Sequence, residues 1–313
     1  MEKEYTNLKI LQDFSIDNLP DLDVVTLGAL ELFDKEGLPE VNLPDFKKPV
    51  IAGSGNARVT SEIIFSNKEA VFAGENNYKE AASQKDVDGA LIFSSSGNKH
   101  APLQTKACLD AGLKTYLITC NPNSEAGELK GLSGVILTKK NKEPYTYNTS
   151  TYLGWILALT KENPQEILDY INNTVKEKLP NNFSDYSGFL LITPNEFEGV
   201  NGLLNTKFIE LFGRRVARDI KTYEQMKHAI TVVPNKKELC IAFGEKEDFY
   251  FENDILHIPL PDNASYGTMM AIGYYVIGNI QKQRPPFFKN NISKYCKEAG
   301  IKAFGKEINP IVE

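Results

Sequence analysis

Three serines, a glycine and an asparagine, Ser94-Ser95-Ser96-Gly97-Asn98, follow a short apolar run at residues 90–93 and precede a helical pattern. Hydroxyls and backbone N–H groups at the start of a helix suit an anion, because the helix dipole places partial positive charge there. A phosphate monoester is the natural ligand for such a turn, and Lys99 adds a formal charge beside it. The same residue types also cap helices, so a plain N-cap is the competing reading. Three successive serines exceed what a cap needs. Gly53-Ser54-Gly55-Asn56 is a second turn of this kind. Its glycines allow close backbone approach, although many strand-to-helix turns carry them.

Two further groups of residues could do acid–base chemistry. Lys207 and Glu210 are three apart and share one helix face, as a surface ion pair or as a carboxylate held beside an ammonium. Thr222 and Gln225 have capping-box spacing, which starts a helix there. Glu224 and His228 then lie at i and i+4. The carboxylate could orient the imidazole for proton transfer, or the two could form a solvated pair contributing about 0.2–0.5 kcal/mol. Only three histidines exist. His257 sits in the alternating run Ile255-Leu-His-Ile-Pro and reads as structural. His100 opens the helix after the serine turn, within reach of a ligand there. His228 is the best acid–base candidate.

These residues need a scaffold that delivers them, and the pattern supplies one. Strands are expected at 49–53, 70–74, 90–93, 115–120 and 135–138. Helices are expected at 57–65, 78–83, 100–111, around Ala126, and at 150–159 and 164–179. Strands alternating with helices imply a parallel sheet covered on both faces, with ligands outside the carboxyl ends of the strands. Both candidate phosphate turns fall at such ends. Residues 180–187 are polar and read as a linker. A second alternation has strands at 189–193, 231–233, 239–243 and 255–258, with helices at 200–212, 222–229, 266–281 and 293–299. The expectation is an α/β protein with two doubly wound parallel-sheet domains, related by duplication. Residues 1–44 form a helical segment, 45–180 the phosphate-binding domain and 187–313 the domain with the Glu and His. The N-terminal segment holds a helix around Val24, Leu27, Leu30 and Leu32, ended by Gly37. It packs on the domain that follows or on a second subunit.

At 313 residues the chain can build two cores. Its formal net charge of −6 argues against broad binding to nucleic acid or to an anionic membrane. Cys108, Cys120, Cys240 and Cys296 are scattered without paired spacing, so neither zinc nor a disulfide frame is expected. No metal-ligand spacing is visible, and no metal or cofactor is expected. The N-terminus lacks a signal-peptide core and no apolar run reaches membrane-spanning length, so a cytoplasmic location is expected. A dinucleotide-binding turn with its distal acidic residue is absent.

The residues now gathered resemble the double sugar isomerase (SIS) domain family. Ser94-Ser-Ser-Gly-Asn resembles its Ser-x-Ser-Gly-x-Thr phosphate motif, and Gly53-Ser-Gly-Asn its first ligand loop. Lys207-Phe-Ile-Glu210 resembles its catalytic helix. Glu224-Gln-Met-Lys-His228 resembles the Glu-Leu-x-His element of glucosamine-6-phosphate synthase, deglycases and phosphoglucose/phosphomannose isomerases. Residues 266–289, ending Arg-Pro-Pro-Phe-Phe-Lys, resemble the last helix and its tail. The resemblance spans residues 45 to the C-terminus and implies two flavodoxin-like SIS domains. Three departures stand out. Lys99 replaces the final threonine of the phosphate motif. Thr193-Pro-Asn-Glu-Phe-Glu-Gly199 replaces a glycine-rich opening. The interval from Glu210 to His228 is longer than in the relatives, so Glu224 or Glu198 remain open as the base.

The resemblance implies a sugar-phosphate isomerase acting on a phosphorylated hexose. The phosphate would be held by Gly53, Ser54, Gly55, Asn56, Ser94, Ser95, Ser96, Asn98 and Lys99, with Lys207 beside the sugar. His228 would open the ring and Glu210 would carry a proton between carbons 1 and 2 through an enediol. Lys289 matches a tail lysine near the sugar. A homodimer with sites near the subunit interface is implied, the histidine entering from the neighbouring copy. A substrate with nitrogen at carbon 1 or 2 would instead give deglycation, deamination or amino transfer. A sugar-phosphate regulator without catalysis is the rival from another class. No glutaminase domain precedes the resembling region, so synthesis from glutamine is not expected.

Overall fold

The computed structural model describes residues 3–229, 233, 235–246, 253–305 and 307–313. The chain begins with α1 (Thr6–Asp13), α2 (Leu22–Glu36), β1 (Val50–Gly53), α3 (Asn56–Ile64), β2 (Val71–Ala73), α4 (Tyr78–Ala82), β3 (Ala90–Phe93) and α5 (Ala101–Asp110). It continues with β4 (Thr115–Thr119), β5 (Gly134–Leu137), β6 (Glu143–Pro144), α6 (Thr149–Thr160), α7 (Pro164–Tyr170), a π-helical turn (Ile171–Val175) and α8 (Lys176–Lys178). It ends with β7 (Gly188–Thr193), α9 (Asn201–Phe212), β8 (Ala217–Thr222), α10 (Tyr223–Ala229), β9 (Glu238–Phe243), β10 (Asp254–Ile258), α11 (Tyr266–Lys282), α12 (Phe287–Phe304) and β11 (Ile311–Val312). Two compact units result. The first is Leu38–Lys140 with Ser150–Leu159. The second is Met1–Gly37, Asn141–Thr149 and Thr160–Glu313.

The first unit is built on a parallel sheet of order β2-β1-β3-β4-β5. β1 and β3 are wholly buried, as their unbroken apolar runs require in a sheet covered on both faces. One face packs small residues, Ala52, Ala73 and Ala90, against Ala81, Ala82 and Ala101 of the helices, so helix and sheet approach closely. On the other face Phe93 meets Trp155 of α6 edge-on at 5.5 Å. Around Ala126 the chain makes hydrogen-bonded turns rather than the expected helix.

The second unit holds a parallel sheet of order β10-β9-β7-β8. The central strand β7 shows its two faces by alternation. Leu190 and Ile192 pack with Tyr223 and Met226 of α10. Phe189 packs on Phe208 of α9, with ring centroids 6.0 Å apart. Helices α9 and α10 therefore cover opposite faces. Strand order agrees with this: α9 carries the chain outward from β7 to β8 and α10 brings it back past β7 to β9, and the right-handed rule for parallel crossovers puts two such helices on opposite faces.

Several expectations need correction here. β8 was not anticipated, because Ala-Arg-Asp-Ile-Lys-Thr alternates charged residues as an edge strand does. The expected strand at 231–233 falls largely outside the described residues, and Val233 lies in a bend. The helix expected over 164–179 is interrupted by the π-helical turn. The helix expected at 293–299 is the middle of the longer α12. Helix α2 is buried along most of its length against α1, α7 and α11 of its own unit, so its apolar face does not call for a second subunit. At the start of α11 the Glu162 carboxylate accepts from the backbone N–H of Ser265, Gly267 and Thr268 at 2.8–3.0 Å. An anion is favoured at that helix end.

Candidate functional site

In the first unit, sheet order decides where a ligand can lie. From β1 the chain turns one way to β2, and from β3 the other way to β4. Their junction is the topological switch point, where open parallel sheets bind ligands. Gly53 and Phe93 are register partners. The loops that follow them, Ser54-Gly55-Asn56 and Ser94 to Lys99, therefore leave the sheet side by side. Both turns singled out in the sequence meet at this point.

The serine turn is tightly specified. Ser94 Oγ accepts from Gly97 N at 3.1 Å, and Ser96 Oγ from Asn98 N at 3.3 Å. Asn98 Oδ1 accepts from Glu125 N at 3.0 Å, and Asn121 Nδ2 donates to the Ser96 carbonyl at 2.9 Å. Behind the turn, Ser95 Oγ lies 3.1 Å from Thr151 Oγ1 at the start of α6. Gly97 and Lys99 both have left-handed backbones, at φ +64° and +59°. α5 thus begins at Ala101, a few residues later than the serines alone imply. A Cβ on Gly97 would stand 2.4 Å from Ser124 Cβ. Gly97→Ala is accordingly expected to cost about 1–3 kcal/mol in thermal unfolding and to abolish any stabilisation by an added phosphate monoester.

The first loop has unsatisfied polar atoms. Ser54 Oγ and Asn56 Oδ1 are buried with no hydrogen-bond partner among the described residues. Buried orphan acceptors are disfavoured in a native fold and are common where a ligand or ion completes them. Gly55 has φ +53°, and a Cβ on Gly53 would lie 2.9 Å from Arg58 N, so only glycine fits at either place.

In the second unit, Lys207 on α9 is fully buried. Its Nζ donates to the carbonyls of Thr146 and Tyr147 at 2.7 and 2.6 Å and to Glu210 Oε2 at 2.7 Å. The tethered segment is strained, with left-handed Thr146 (φ +77°) and Asn148 (φ +43°). Lys207 is thus a clamp rather than a surface partner. Glu210 keeps 22% of its side chain exposed and lines a cavity of about 540 Å³ between the end of α9 and α12. Burial pushes its carboxyl pKa up, and the Lys207 ammonium opposes that rise.

The other expected residues lie apart. His228 is exposed on α10, across the sheet from Glu210. Glu224 pairs with Lys227 at 2.6 Å, and no contact joins it to His228 among the described residues. Lysine at i+3 takes the carboxylate. The Thr222–Gln225 capping box is formed in both directions. Glu198 accepts from Gln225 Nε2 at 2.6 Å. His257 Nε2 lies 2.6 Å from the Gly244 carbonyl, a structural position. Lys289 pairs with Asp21 at 2.9 Å. Sequence reasoning missed Thr146, Thr151, Arg214 and Arg215. A β-branched residue in a left-handed turn has no sequence signal, and the arginines follow the helix end without a motif.

No family model matches the chain, and no curated protein matches it in sequence. Solved structures do. A candidate phosphosugar isomerase from Clostridium difficile 630 superposes with a TM-score of 0.60 at 17% identity, over 84% of this chain and 93% of that one. The C-terminal domain of glucosamine-fructose-6-phosphate aminotransferase from Francisella tularensis gives 0.59 at 13% identity, over 86% and 98%. Tagatose-6-phosphate ketose/aldose isomerase from Escherichia coli gives 0.56 at 11% identity, over 91% and 94%. The chain has the double sugar-isomerase fold. At such identities the likeness is one of fold, and the site must be argued from its own residues. In this double sugar-isomerase fold the serine turn lies on the first sheet and the clamped glutamate on the second unit. Among the described residues no three His, Cys, Asp or Glu side chains cluster as a metal site, and no helix is long and apolar enough to cross a membrane.

Proposed function

We propose that the chain is a sugar-phosphate enzyme that moves a proton between adjacent carbons of a phosphorylated hexose. One observation carries this reading. Glu210 is a carboxylate held at a cavity wall by a buried lysine, with its pKa raised by burial. A carboxylate tuned upward is suited to act as a base near neutral pH. In this reading the hydroxyls and backbone N–H groups of the serine turn, with the Ser54 hydroxyl, donate to the phosphate. Glu210 takes the carbon-2 proton and returns it to carbon 1 through an enediol. Lys207 keeps Glu210 in place.

His228 opens the ring, and it does so from a second copy. α10 and α9 cover opposite faces of one sheet, so the His228 of a chain does not meet the Glu210 of the same chain. The reading therefore includes a homodimer with composite sites. A substrate bearing nitrogen would use the same base for deglycation, deamination or amino transfer. Proton NMR in heavy water, with a panel of hexose 6-phosphates and amino-hexose phosphates, tests the reading. Loss of a carbon-1 or carbon-2 proton signal is expected for one member. Binding without exchange across the panel would leave a regulator that binds sugar phosphates. Mixing Glu210→Gln with His228→Ala chains should restore exchange that neither variant shows alone.

A further inference from the structure

The cavity beside Glu210 does not have the character of a sugar site. Its volume of about 540 Å³ lies within the usual range of small-molecule sites, roughly 300–1,000 Å³. Phe212, Phe287, Phe288, Ile292 and Tyr295 form much of its wall. A hexose carries a hydroxyl on almost every carbon, and hydrocarbon walls leave those groups unbonded. Such a wall suits an apolar body.

The polar groups at the cavity are few and specific. Arg214 and Arg215 line it, and neither forms an ion pair among the described residues. The Arg215 guanidinium lies 5.2 Å from the centroid of the Phe287 ring. That distance is within cation–π range, and a guanidinium beside an aromatic ring can still grip a carboxylate with two parallel bonds. Thr146 also lines the cavity, and its Oγ1 is buried with no partner among the described residues. A β-branched residue held left-handed there, with an unmet hydroxyl, is a strained arrangement of the type that gathers at ligand sites. A dianion would be repelled by the Glu210 carboxylate on the same wall. A monocarboxylate with an apolar body fits all three observations.

We propose that this cavity binds the carboxylate of an apolar substituent carried by the sugar phosphate next to the carbon that Glu210 serves. Arg214 and Arg215 hold the carboxylate, the aromatic wall takes the hydrocarbon, and the Thr146 hydroxyl bonds the polar linkage to the sugar. The inference rests on Glu210 as the base. It extends the proposed substrate class to conjugated sugar phosphates.

The test uses the full-length protein and 3-phenylpropanoate as probe, followed by ligand-detected NMR and calorimetry. Saturable binding is expected, weaker for the uncharged 3-phenylpropanamide, and reduced about 10- to 100-fold by Arg214→Gln with Arg215→Gln. Both arginines are exposed, so an unchanged unfolding temperature should accompany the loss. Each single substitution provides a second measurement if the double variant is unstable. The proposal falls if the propanoate does not bind, if the double variant or the amide binds equally well, or if inorganic phosphate displaces the propanoate from the arginines. Propanoate binding without proton exchange on any sugar phosphate would refute the role of Glu210 and keep the carboxylate site. Exchange without propanoate binding would do the reverse.

Discussion

Glu210→Gln should lower turnover by about 10²–10⁴-fold, the range a positioned general base contributes, while sugar-phosphate affinity changes little. The amide keeps an oxygen that can accept from Lys207 Nζ, so the clamp on Thr146 and Tyr147 survives. On the proposed reading the affinity is set elsewhere, at the serine turn. The pH dependence follows from the upward shift that burial gives the carboxyl. The base must be ionised, so kcat/KM should rise with pH along a limb lying above the ordinary carboxylate range. That limb should vanish in the glutamine variant. Stability should move in the opposite sense to activity. The folded pKa lies above the unfolded one, so the folded chain binds more protons between those values, and stability falls as pH rises through that window. Glutamine removes the ionised group that causes this loss. That fall in stability with rising pH should therefore be absent from the variant, even though Lys207 has lost its counter-charge there. Thermal unfolding and single-turnover exchange on the same sample check both statements. A variant that turns over normally would remove Glu210 from the chemistry.

Much of the first unit was legible. Val50-Ile-Ala-Gly53 and Ala90-Leu-Ile-Phe93 are short apolar runs ended by glycine and serine, and a strand buried on both faces has no other pattern to show. That their two turns share one pocket is suggested by both falling at the carboxyl ends of strands in one sheet, but is not decided by it. That depends on strand order, and Gly53 and Phe93 are paired by hydrogen bonds between residues forty apart in sequence. The second unit was harder because its edge strand β8 is charged and half-exposed, so hydrophobicity gives it no mark. Spacing suggested that Glu224 and His228 share a helix face, but spacing is symmetrical between partners. Lys227 lies on the same face and takes the carboxylate. Opposite faces for Glu210 and His228 follow from the crossovers β7 to β8 and β8 to β9, and neither could be counted until β8 was known. The cavity depends on a left-handed Thr146 and on where α12 lies, and neither leaves a trace in local pattern.

Lys207→Met should be the most destabilising single change in the second unit. A buried ammonium with three acceptors is replaced by a thioether that donates nothing, while the carbonyls of Thr146 and Tyr147 and the Glu210 carboxylate stay where they are. Breaking a buried pair in this way costs about 3–5 kcal/mol, because the remaining charge has lost its partner. The left-handed Thr146 is then held by less, so the cavity wall should loosen with it. In the protein that still folds, the Lys207 influence that opposes the rise of the Glu210 pKa is gone, and its ionisation should move to higher pH. The acidic limb of kcat/KM should shift in the same direction. Adding Glu210→Leu to Lys207→Met removes the orphaned carboxylate as well, so the double variant should lose less stability than the sum of the two single losses. Strict additivity in urea unfolding would mean that the two side chains do not interact. The clamp would then be no more than packing around two side chains that do not stabilise each other.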